Sequence, residues 1–232
     1  IKPILHEKNI GALKNFIFVH EQARGNYIAH VDGDDYALPG KLQIQADYLD
    51  HNAECNIVWT HILVEEPNGE KYEQNKKFKK FVANRRFYRS DLIKFGTLGC
   101  NSTKMYRKGV YNPTDIDFSI IDYYINIEQV GEGYACFVGD ECLGVYRLGI
   151  GISSANTRTR KIWIDNILRL YKKYKDYRAE FNSVLLLILL SDVLGRKDTF
   201  LKSLWGYILT FHPLSIVFII KNYTLLKSIN LR

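Results

Sequence analysis

Residues 25–35, GNYIAHVDGDD, decide the fold class of this chain. Tyr27 to Val31 form a short, mostly apolar run between Gly25 and a group of carboxylates, which is typical of a strand buried in a sheet. Residues 32–35, here named the acidic cluster, therefore follow the C-terminal end of a strand. Open α/β sheets bind ligands at that end of their strands. The stretch thus predicts an α/β fold with a ligand site at the acidic cluster.

Helical and strand-like patterns alternate on both sides of this stretch. Helices are indicated where apolar residues recur every three to four positions, and strands where short apolar runs are bounded by turn residues. Such alternation predicts an α/β domain with a mostly parallel sheet and helices on both faces. The predicted order is strand 1–5, helix 13–24, strand 27–31, helix 39–51, strand 56–64, helix 120–130 and one or two strands within 134–148.

The charge of the chain is unevenly distributed. Its 232 residues carry a net charge of +7, but residues 1–150 have 18 Lys and Arg against 20 Asp and Glu, a net of −2. Residues 151–232 have 14 against 5, a net of +9. Such a basic segment suits an anionic partner, either a membrane surface or a nucleic acid. The acidic balance of residues 1–150 and the lack of a nucleic-acid-binding motif argue against nucleic acid.

The four cysteines indicate a reducing compartment. They show neither a C-x-x-C pair nor the histidine spacing of a zinc site, so we expect free thiols. The first residues do not resemble a secretory signal, and we therefore expect a cytoplasmic protein. The chain does not begin with Met, which is consistent with a fragment of a longer protein.

The acidic cluster places three carboxylates within four residues, with Gly33 between the first two. Such charges repel one another unless a cation neutralises them. Mg²⁺ binds through one or two carboxylates together with phosphate oxygens of a substrate, and Gly33 would let the backbone approach that ligand. The alternative is a turn that also caps the following helix, because Asp and Gly are favoured there. The buried strand before the cluster favours the metal site.

Three segments in order resemble the donor-site core of family 2 glycosyltransferases with a GT-A fold. They are residues 9–15 (NIGALKN), residues 25–35 and residues 39–42 (PGKL). The family pattern is N-x-G, R-N, G-x-Y-I, a strand, D-x-D-D, and a proline four residues after the last Asp. The resemblance implies a catalytic domain over residues 1–155 that moves a sugar from a nucleotide-sugar donor to a hydroxyl acceptor. UDP-sugar is the implied donor, and bacterial surface polysaccharide or lipopolysaccharide synthesis is the implied pathway.

The resemblance assigns roles within the acidic cluster. Asp34 corresponds to the direct ligand of a Mn²⁺ or Mg²⁺ ion, and Asp32 lies beside the donor ribose and the metal. Asp35 corresponds to a supporting or sugar-facing carboxylate.

Three further positions are implied to bind the donor. They are Asn9, Lys14, which stands where the family usually has Arg, and Arg147. Arg147 belongs to residues 146–153 (YRLGIGIS), which resemble a Y-R-x-H-x-x-x-S loop near the diphosphate. Gly149 replaces the histidine of that loop.

Asp122 corresponds to the catalytic base of the family, which inverts the anomeric configuration. The family commonly has Glu-Asp at the start of a helix below the acceptor site, and Ile121 replaces the Glu here. The alternative for Asp122 is an ordinary Asp at a helix N-terminus, stabilised by the helix dipole.

The family domain normally opens with two further strands, which end in a P-x-Y-N-like loop and in D-D-G-S. The chain starts at what corresponds to the third strand, so we expect an N-terminally incomplete GT-A domain. A second hypothesis follows, in which the chain is a catalytically incomplete remnant or an interaction module on a GT-A scaffold.

The C-terminal residues 156–232 form a basic, amphipathic tail. Residues 203–220 are 18 uncharged residues between Lys202 and Lys221, which is borderline for a membrane span. We expect helices that lie on the cytoplasmic leaflet of the cell membrane, drawn there by the +9 charge. The alternative is a soluble helical subdomain that packs on the core. Residues 76–89 carry seven Lys and Arg, which suits either a lipid-linked diphosphate acceptor, a nucleic acid or a solvated loop.

Overall fold

The computed structural model of the chain describes residues 3–73, 76–111, 116–149 and 157–228. Strands and helices alternate as far as residue 147, and helices follow. The strands are β1 (Tyr27–Ala29), β2 (Tyr36–Ala37), β3 (Cys55–Glu65), β4 (Lys71–Glu73), β5 (Lys104–Arg107) and β6 (Tyr134–Arg147). The helices are α1 (Ala12–Gln22), α2 (Lys41–His51), α3 (Lys76–Val82), α4 (Arg89–Phe95), α5 (Asp122–Gln129), α6 (Thr157–Lys173), α7 (Arg178–Leu194), α8 (Phe200–Thr210) and α9 (Leu214–Ser228).

The sheet confirms the α/β class but corrects the expected pairing. Its strand order is β1-β5-β3-β6-β2, with β4 also paired to β3. Among the described strands only β3 and β6 pair in parallel, and the other four pairings are antiparallel. Two of these antiparallel pairings arise because β5 inserts between β1 and β3 in the opposite direction, and the other two because β2 and β4 run antiparallel to β6 and β3. Apolar runs indicate burial of a strand, but they carry no information about its direction.

Most predicted elements form within a few residues of their expected bounds, with two differences. Residues 134–148 contain one continuous strand, β6, which passes through Gly139 at a φ of 68°. The register between β3 and β6 shifts beside it, so the glycine accommodates a bulge and does not end the strand. The strand expected at residues 1–5 does not form over residues 3–5, and residues 1–2 lie outside the described part.

Two apolar layers hold the sheet. On one face α2 packs through Leu49 against a cluster that includes Val58 and Cys136. On the other face a larger cluster joins Trp59 to α4, α5, α6 and α7. This second cluster includes residues on both sides of the predicted boundary at residue 155, so α6 and α7 pack directly on the sheet domain. The boundary itself stays a prediction.

A buried ion pair ties the C-terminal helices together. Arg160 of α6 donates to Asp192 of α7 at 2.5 Å, and the Ser203 hydroxyl of α8 donates to the other oxygen of Asp192 at 2.7 Å. Asp192 is fully buried, and both of its carboxylate oxygens have partners. This pair fixes the positions of three helices around one carboxylate.

In the described part of the chain, no single helix is both long and apolar enough to cross a bilayer. Among the described helices, α8 and residues 214–222 of α9 reach that length and composition together, as a pair bent by 117°.

Candidate donor and acceptor site

Four segments meet at one edge of the sheet. They are the acidic cluster after β1, the turn at Cys100–Thr103 before β5, the N-terminus of α5 and the end of β6. Strand pairing explains the meeting, because β5 runs antiparallel to β1 and so begins where β1 ends. The Lys41 ammonium at the start of α2 is buried and donates to the Ser102 carbonyl at 2.5 Å, which fixes the turn from below.

Asp32 is held in its ionised form by two neighbours. Nε2 of His30 donates to Oδ1 of Asp32 at 2.9 Å, and the Ser102 hydroxyl lies 3.3 Å from Oδ2. The hydrogen bond from His30 is the main cause that lowers the pKa of Asp32, followed by smaller contributions from Ser102 and Asn101. The backbone N–H of Asp32 also donates to the Ser102 hydroxyl oxygen at 3.0 Å. Asp32 therefore carries a fixed negative charge at neutral pH.

Asp35 is the buried member of the acidic cluster. The Ser102 hydroxyl donates to its Oδ2 at 2.6 Å, and the backbone N–H of Arg147 donates to its Oδ1 at 3.1 Å. Burial raises the pKa of Asp35, and the nearby charges of Asp34 and Asp32 raise it further. Both oxygens of Asp35 are thus used to join the cluster to the turn before β5 and to the end of β6.

Asp34 differs from its two neighbours because its carboxylate accepts no hydrogen bond within the described part of the chain. Its backbone carbonyl accepts one from Nε of Arg147. The Arg147 guanidinium is therefore anchored beside the cluster. Gly33 is exposed, and a Cβ built on it would meet nothing within 4 Å, so the turn is open above the cluster.

The donor set fits a hard divalent cation that also binds a substrate. Among the described residues no group of three or more His, Cys, Asp or Glu side chains converges on one point. Mg²⁺ needs only one or two carboxylates when phosphate oxygens and water complete its shell. Asp34, with its carboxylate free of hydrogen bonds, and Asp32 offer such oxygens. Asn101 beside Asp32 adds a buried side-chain oxygen without a hydrogen-bond partner.

Asp122 lies at the same site. It is the first residue of α5, and its charge acts on Lys104 and on the Cys100 thiol together with that of Asp32. Burial raises the pKa of Asp122, and the Lys104 ammonium opposes that rise. The structure therefore brings Asp122 to the acidic cluster, about 90 residues away in sequence.

Lys104 is a buried cation beneath Asp122. It is the first residue of β5, and its ammonium donates to Oδ1 of Asn126 at 3.1 Å. Asn126 and Asp122 are four residues apart on α5 and so share one face of that helix. Burial lowers the pKa of Lys104 to about 8, while the charges of Asp122 and Asp32 work against that change.

The other predicted donor contacts are not joined to this site. Oδ1 of Asn9 accepts from the backbone N–H of Gly11 at 2.8 Å and so forms a local turn before α1. Lys14 is exposed on α1, and no hydrogen bond or ion pair within the described segments links it to the acidic cluster. Gly149 follows β6 with a φ of 79°, which favours glycine, and residues 150–153 lie outside the described part.

The sequence interpretation missed three residues that shape the site, namely His30, Ser102 and Lys104. A weak signal existed for two of them. His30 lies two residues before Asp32, and Lys104 is a charged residue at the start of a strand buried in the sheet. Ser102 gave no signal, because it meets the cluster only through the pairing of β1 with β5.

Comparisons with known proteins show which family the chain resembles. Residues 1–112 match the family model described as Glycosyl transferase family 2. An uncharacterized protein of Mycobacterium tuberculosis is 32% identical over 165 residues, which cover 70% of this chain and 46% of that protein. An uncharacterized glycosyltransferase of Methanocaldococcus jannaschii is 27% identical over 147 residues, which cover 62% of this chain and 50% of that protein. The chain thus spans about half the length of these curated relatives.

A solved structure has a similar fold. The crystal structure of S. aureus TarS 1–349 in complex with UDP-GlcNAc matches with a TM-score of 0.60 and 15% identity, over 91% of this chain and 65% of that chain. At this identity the match concerns the fold alone. Together with the family match, it confirms the family resemblance and the fold class predicted from the sequence. Residues 1–112 thus resemble a family 2 glycosyltransferase domain, and the fold of the chain is of the GT-A type.

Proposed function

We propose that this chain forms the catalytic part of an inverting, metal-dependent glycosyltransferase. It would move a sugar from a nucleotide-sugar donor to a hydroxyl of a glycan or lipid-linked acceptor. One observation carries the proposal. Carboxylates from two distant segments, Asp35 and Asp32 of the acidic cluster and Asp122 of α5, all lie close enough to the Cys100 thiol for their charges to raise its pKa, in addition to the effect of its burial. A site with an acidic cluster and a separate carboxylate has both parts that glycosyl transfer to a hydroxyl needs.

The acidic cluster would hold the donor diphosphate. Asp34 and Asp32 would bind a Mn²⁺ or Mg²⁺ ion, which supplies positive charge to the phosphate oxygens when it is bound. Asp35 keeps the cluster in place through Ser102 and the backbone of Arg147. The Arg147 guanidinium, anchored on the Asp34 carbonyl, would add a cation beside the departing diphosphate.

Asp122 would remove the proton from the acceptor hydroxyl as that oxygen attacks the anomeric carbon. A carboxylate with a raised pKa is a better base than an ordinary Asp, provided that it remains ionised at the working pH. Lys104 supports that ionised form from beneath, because its ammonium and Asp122 carry opposite charges. We therefore assign Lys104 as a positioning residue.

A UDP-sugar is the donor that we propose. TarS, whose fold is similar, has been crystallised with UDP-GlcNAc. The acceptor would belong to bacterial surface polysaccharide or lipopolysaccharide synthesis, as the family resemblance implies. We place the protein at the cytoplasmic leaflet of the cell membrane, because residues 151–232 carry a net charge of +9.

Donor turnover tests the proposal. The purified chain is incubated with a panel of UDP-sugars and Mn²⁺, and the release of UDP is measured with wild type, Asp34→Asn and Asp176→Asn. Asp176 is an exposed carboxylate remote from the site and serves as the control. We expect UDP release that a chelator abolishes, that Asp34→Asn reduces by about 100-fold or more, and that Asp176→Asn leaves unchanged. Release by none of these proteins with any donor would instead support the remnant hypothesis.

A further inference from the structure

The exposed face of α8 is apolar. Leu201, Trp205 and Ile208 recur at intervals of four and three residues and so share one face of the helix. Their exposed fractions are 74%, 57% and 62%. The opposite face, with Ser203, Gly206 and Thr210, is buried against the rest of the helical layer. The helix therefore packs through its small and polar residues and presents its large apolar ones outward.

The neighbouring helices α7 and α9 also expose large apolar side chains. Leu194 at the end of α7 is 86% exposed, and Ile220 of α9 is 72% exposed. Further large apolar side chains of this region are exposed: Val193, Phe211, Leu214, Ile216 and Val217. Soluble monomers rarely leave so many large apolar side chains in water within one short segment. These exposed side chains therefore favour contact with an apolar surface over contact with water.

The charges of the same region have a single sign. Residues 199–232 contain four Lys and Arg and no Asp or Glu. Lys221 is exposed one residue after Ile220, and Lys202 follows Leu201 directly. Apolar side chains interspersed with cations, together with an exposed Trp, match the headgroup region of an anionic bilayer. Lys202 is paired with Asp165 of α6 at 2.6 Å, but a protein partner that buries this face would have to leave Lys221 unpaired or supply an acidic group for it.

We propose that α8 and the first turns of α9 dock in the plane of an anionic lipid surface. Their exposed apolar side chains would enter the boundary between headgroups and acyl chains. The 117° bend between the two helices favours such an interfacial position, because each helix alone is too short to cross the bilayer. This inference names the lipid-binding residues and does not depend on the proposed glycosyl transfer.

Vesicle co-sedimentation tests the docking surface. The whole chain is mixed with vesicles of phosphatidylcholine containing 30% phosphatidylglycerol, which is about the anionic content used to mimic a bacterial membrane. Wild type is compared with the triple variant Leu201→Asn, Trp205→Ser and Ile208→Asn. We expect the partition coefficient of the variant to be about 100-fold lower, because three large apolar side chains no longer enter the interface. Pure phosphatidylcholine vesicles should bind wild type at least about tenfold more weakly.

A matched control keeps the comparison specific. Leu5, Val19 and Leu42 are exposed apolar residues of the first 50 positions, and their simultaneous change to Asn should leave vesicle binding unchanged. Circular dichroism and a thermal melt establish that both triple variants are folded. Wild type that stays in the supernatant would overturn the proposal, as would equal binding by the two triple variants. A stable dimer in gel filtration that the α8 variant dissociates, without vesicle binding by wild type, would assign the same face to a second copy.

Discussion

The sheet-edge site and the C-terminal helices depart from ordinary burial in opposite directions. Around the acidic cluster the protein buries charged side chains, including Lys41, Lys104 and Asp35, which folded proteins normally keep in water. On α8 it exposes large apolar side chains such as Leu201 and Trp205, which normally lie inside. Neither arrangement favours folding by itself. The difference teaches that a polar ligand at the sheet-edge site and an apolar surface against α8 would explain both costs.

Not every buried charge of this chain points to a ligand. Asp192 in the helical region is as buried as Lys104, but both of its oxygens have hydrogen-bond partners. Lys104 has three N–H donors, and within the described segments its ammonium donates to one acceptor, Oδ1 of Asn126. The degree of pairing therefore separates a structural buried charge from one that belongs to a site.

The largest expected effect concerns Asp122. Asp122→Asn removes the base but keeps the shape of the side chain, so transfer to the acceptor should fall by about 10²- to 10⁴-fold. The melting temperature should change little, because Asp122 is only half-buried and accepts no structural hydrogen bond from the described residues. Steady-state kinetics with a saturating donor measure this. Full activity of the variant would remove Asp122 from the mechanism.

Substitution of Asp192, in contrast to Asp122, should lower the stability of the fold. Asp192→Ala leaves Arg160 buried without its anion, so we expect a loss of about 3–5 kcal/mol in the free energy of unfolding. Denaturant titration measures it. The control is Asp198→Ala, which breaks the exposed ion pair with Lys161 and should cost less than about 0.5 kcal/mol. If the two variants lose the same stability, the distinction between the buried and exposed pairs is wrong.

Lys104→Met is tested by both activity and stability. Loss of the cation beneath Asp122 should lower kcat by about 10- to 100-fold, the scale of one hydrogen bond or ion pair to a charged group. Stability should stay the same or rise by up to about 3 kcal/mol, because an ammonium no longer has to be buried. A variant that unfolds while the residual folded fraction keeps its kcat would show that Lys104 is structural.

The pH profile follows from the same two groups. Asp122 acts as the carboxylate, and burial raises its pKa, so activity is lost as the pH falls through that raised value. Lys104 acts as the ammonium, and burial lowers its pKa to about 8, so activity is also lost as the pH rises through about 8. The expected profile is bell-shaped. In Lys104→Met the alkaline limb should disappear, and its persistence would assign that limb to another group.

The smallest effect is expected at His30. His30→Phe keeps a ring that can stack on His20, whose centroid lies 5.4 Å away, but removes the donor to Asp32. The pKa of Asp32 should then rise towards its ordinary value. At pH 7 Asp32 remains ionised, so donor affinity should change by less than about threefold, whereas the loss should grow as the pH falls to about 4, the ordinary pKa of an Asp side chain. Equal losses at both pH values would contradict this role of His30.

Local sequence patterns predicted the elements well but not their assembly. β1, α2 and the acidic cluster follow from short-range periodicity and from turn residues, which need no knowledge of the rest of the chain. The place of β5 between β1 and β3 depends on a pairing between segments about 80 residues apart. The prediction of a mostly parallel sheet was therefore wrong. For the same reason, the contacts that Ser102 and Lys104 make to the site could not be predicted.

The C-terminal region shows a similar limit. Composition identified residues 203–220 as apolar and their flanks as basic. It did not show which side of α8 packs inward, because Gly206 and the polar Ser203 and Thr210 form the buried side. Helix packing here is decided by close approach and by hydrogen bonds such as that from Asn182 to Thr210. Hydrophobicity alone would have predicted that the large apolar side chains of α8 pack inward.

Calorimetric binding of a UDP-sugar in Mn²⁺ tests the central claim most directly, because it separates the donor site from the base. Wild type and Asp122→Asn should bind the donor with similar affinity, and Asp34→Asn should bind at least about tenfold more weakly. Replacement of Mn²⁺ by a chelator should abolish binding to all three proteins. Equal donor binding by wild type and Asp34→Asn would contradict the assignment of the acidic cluster.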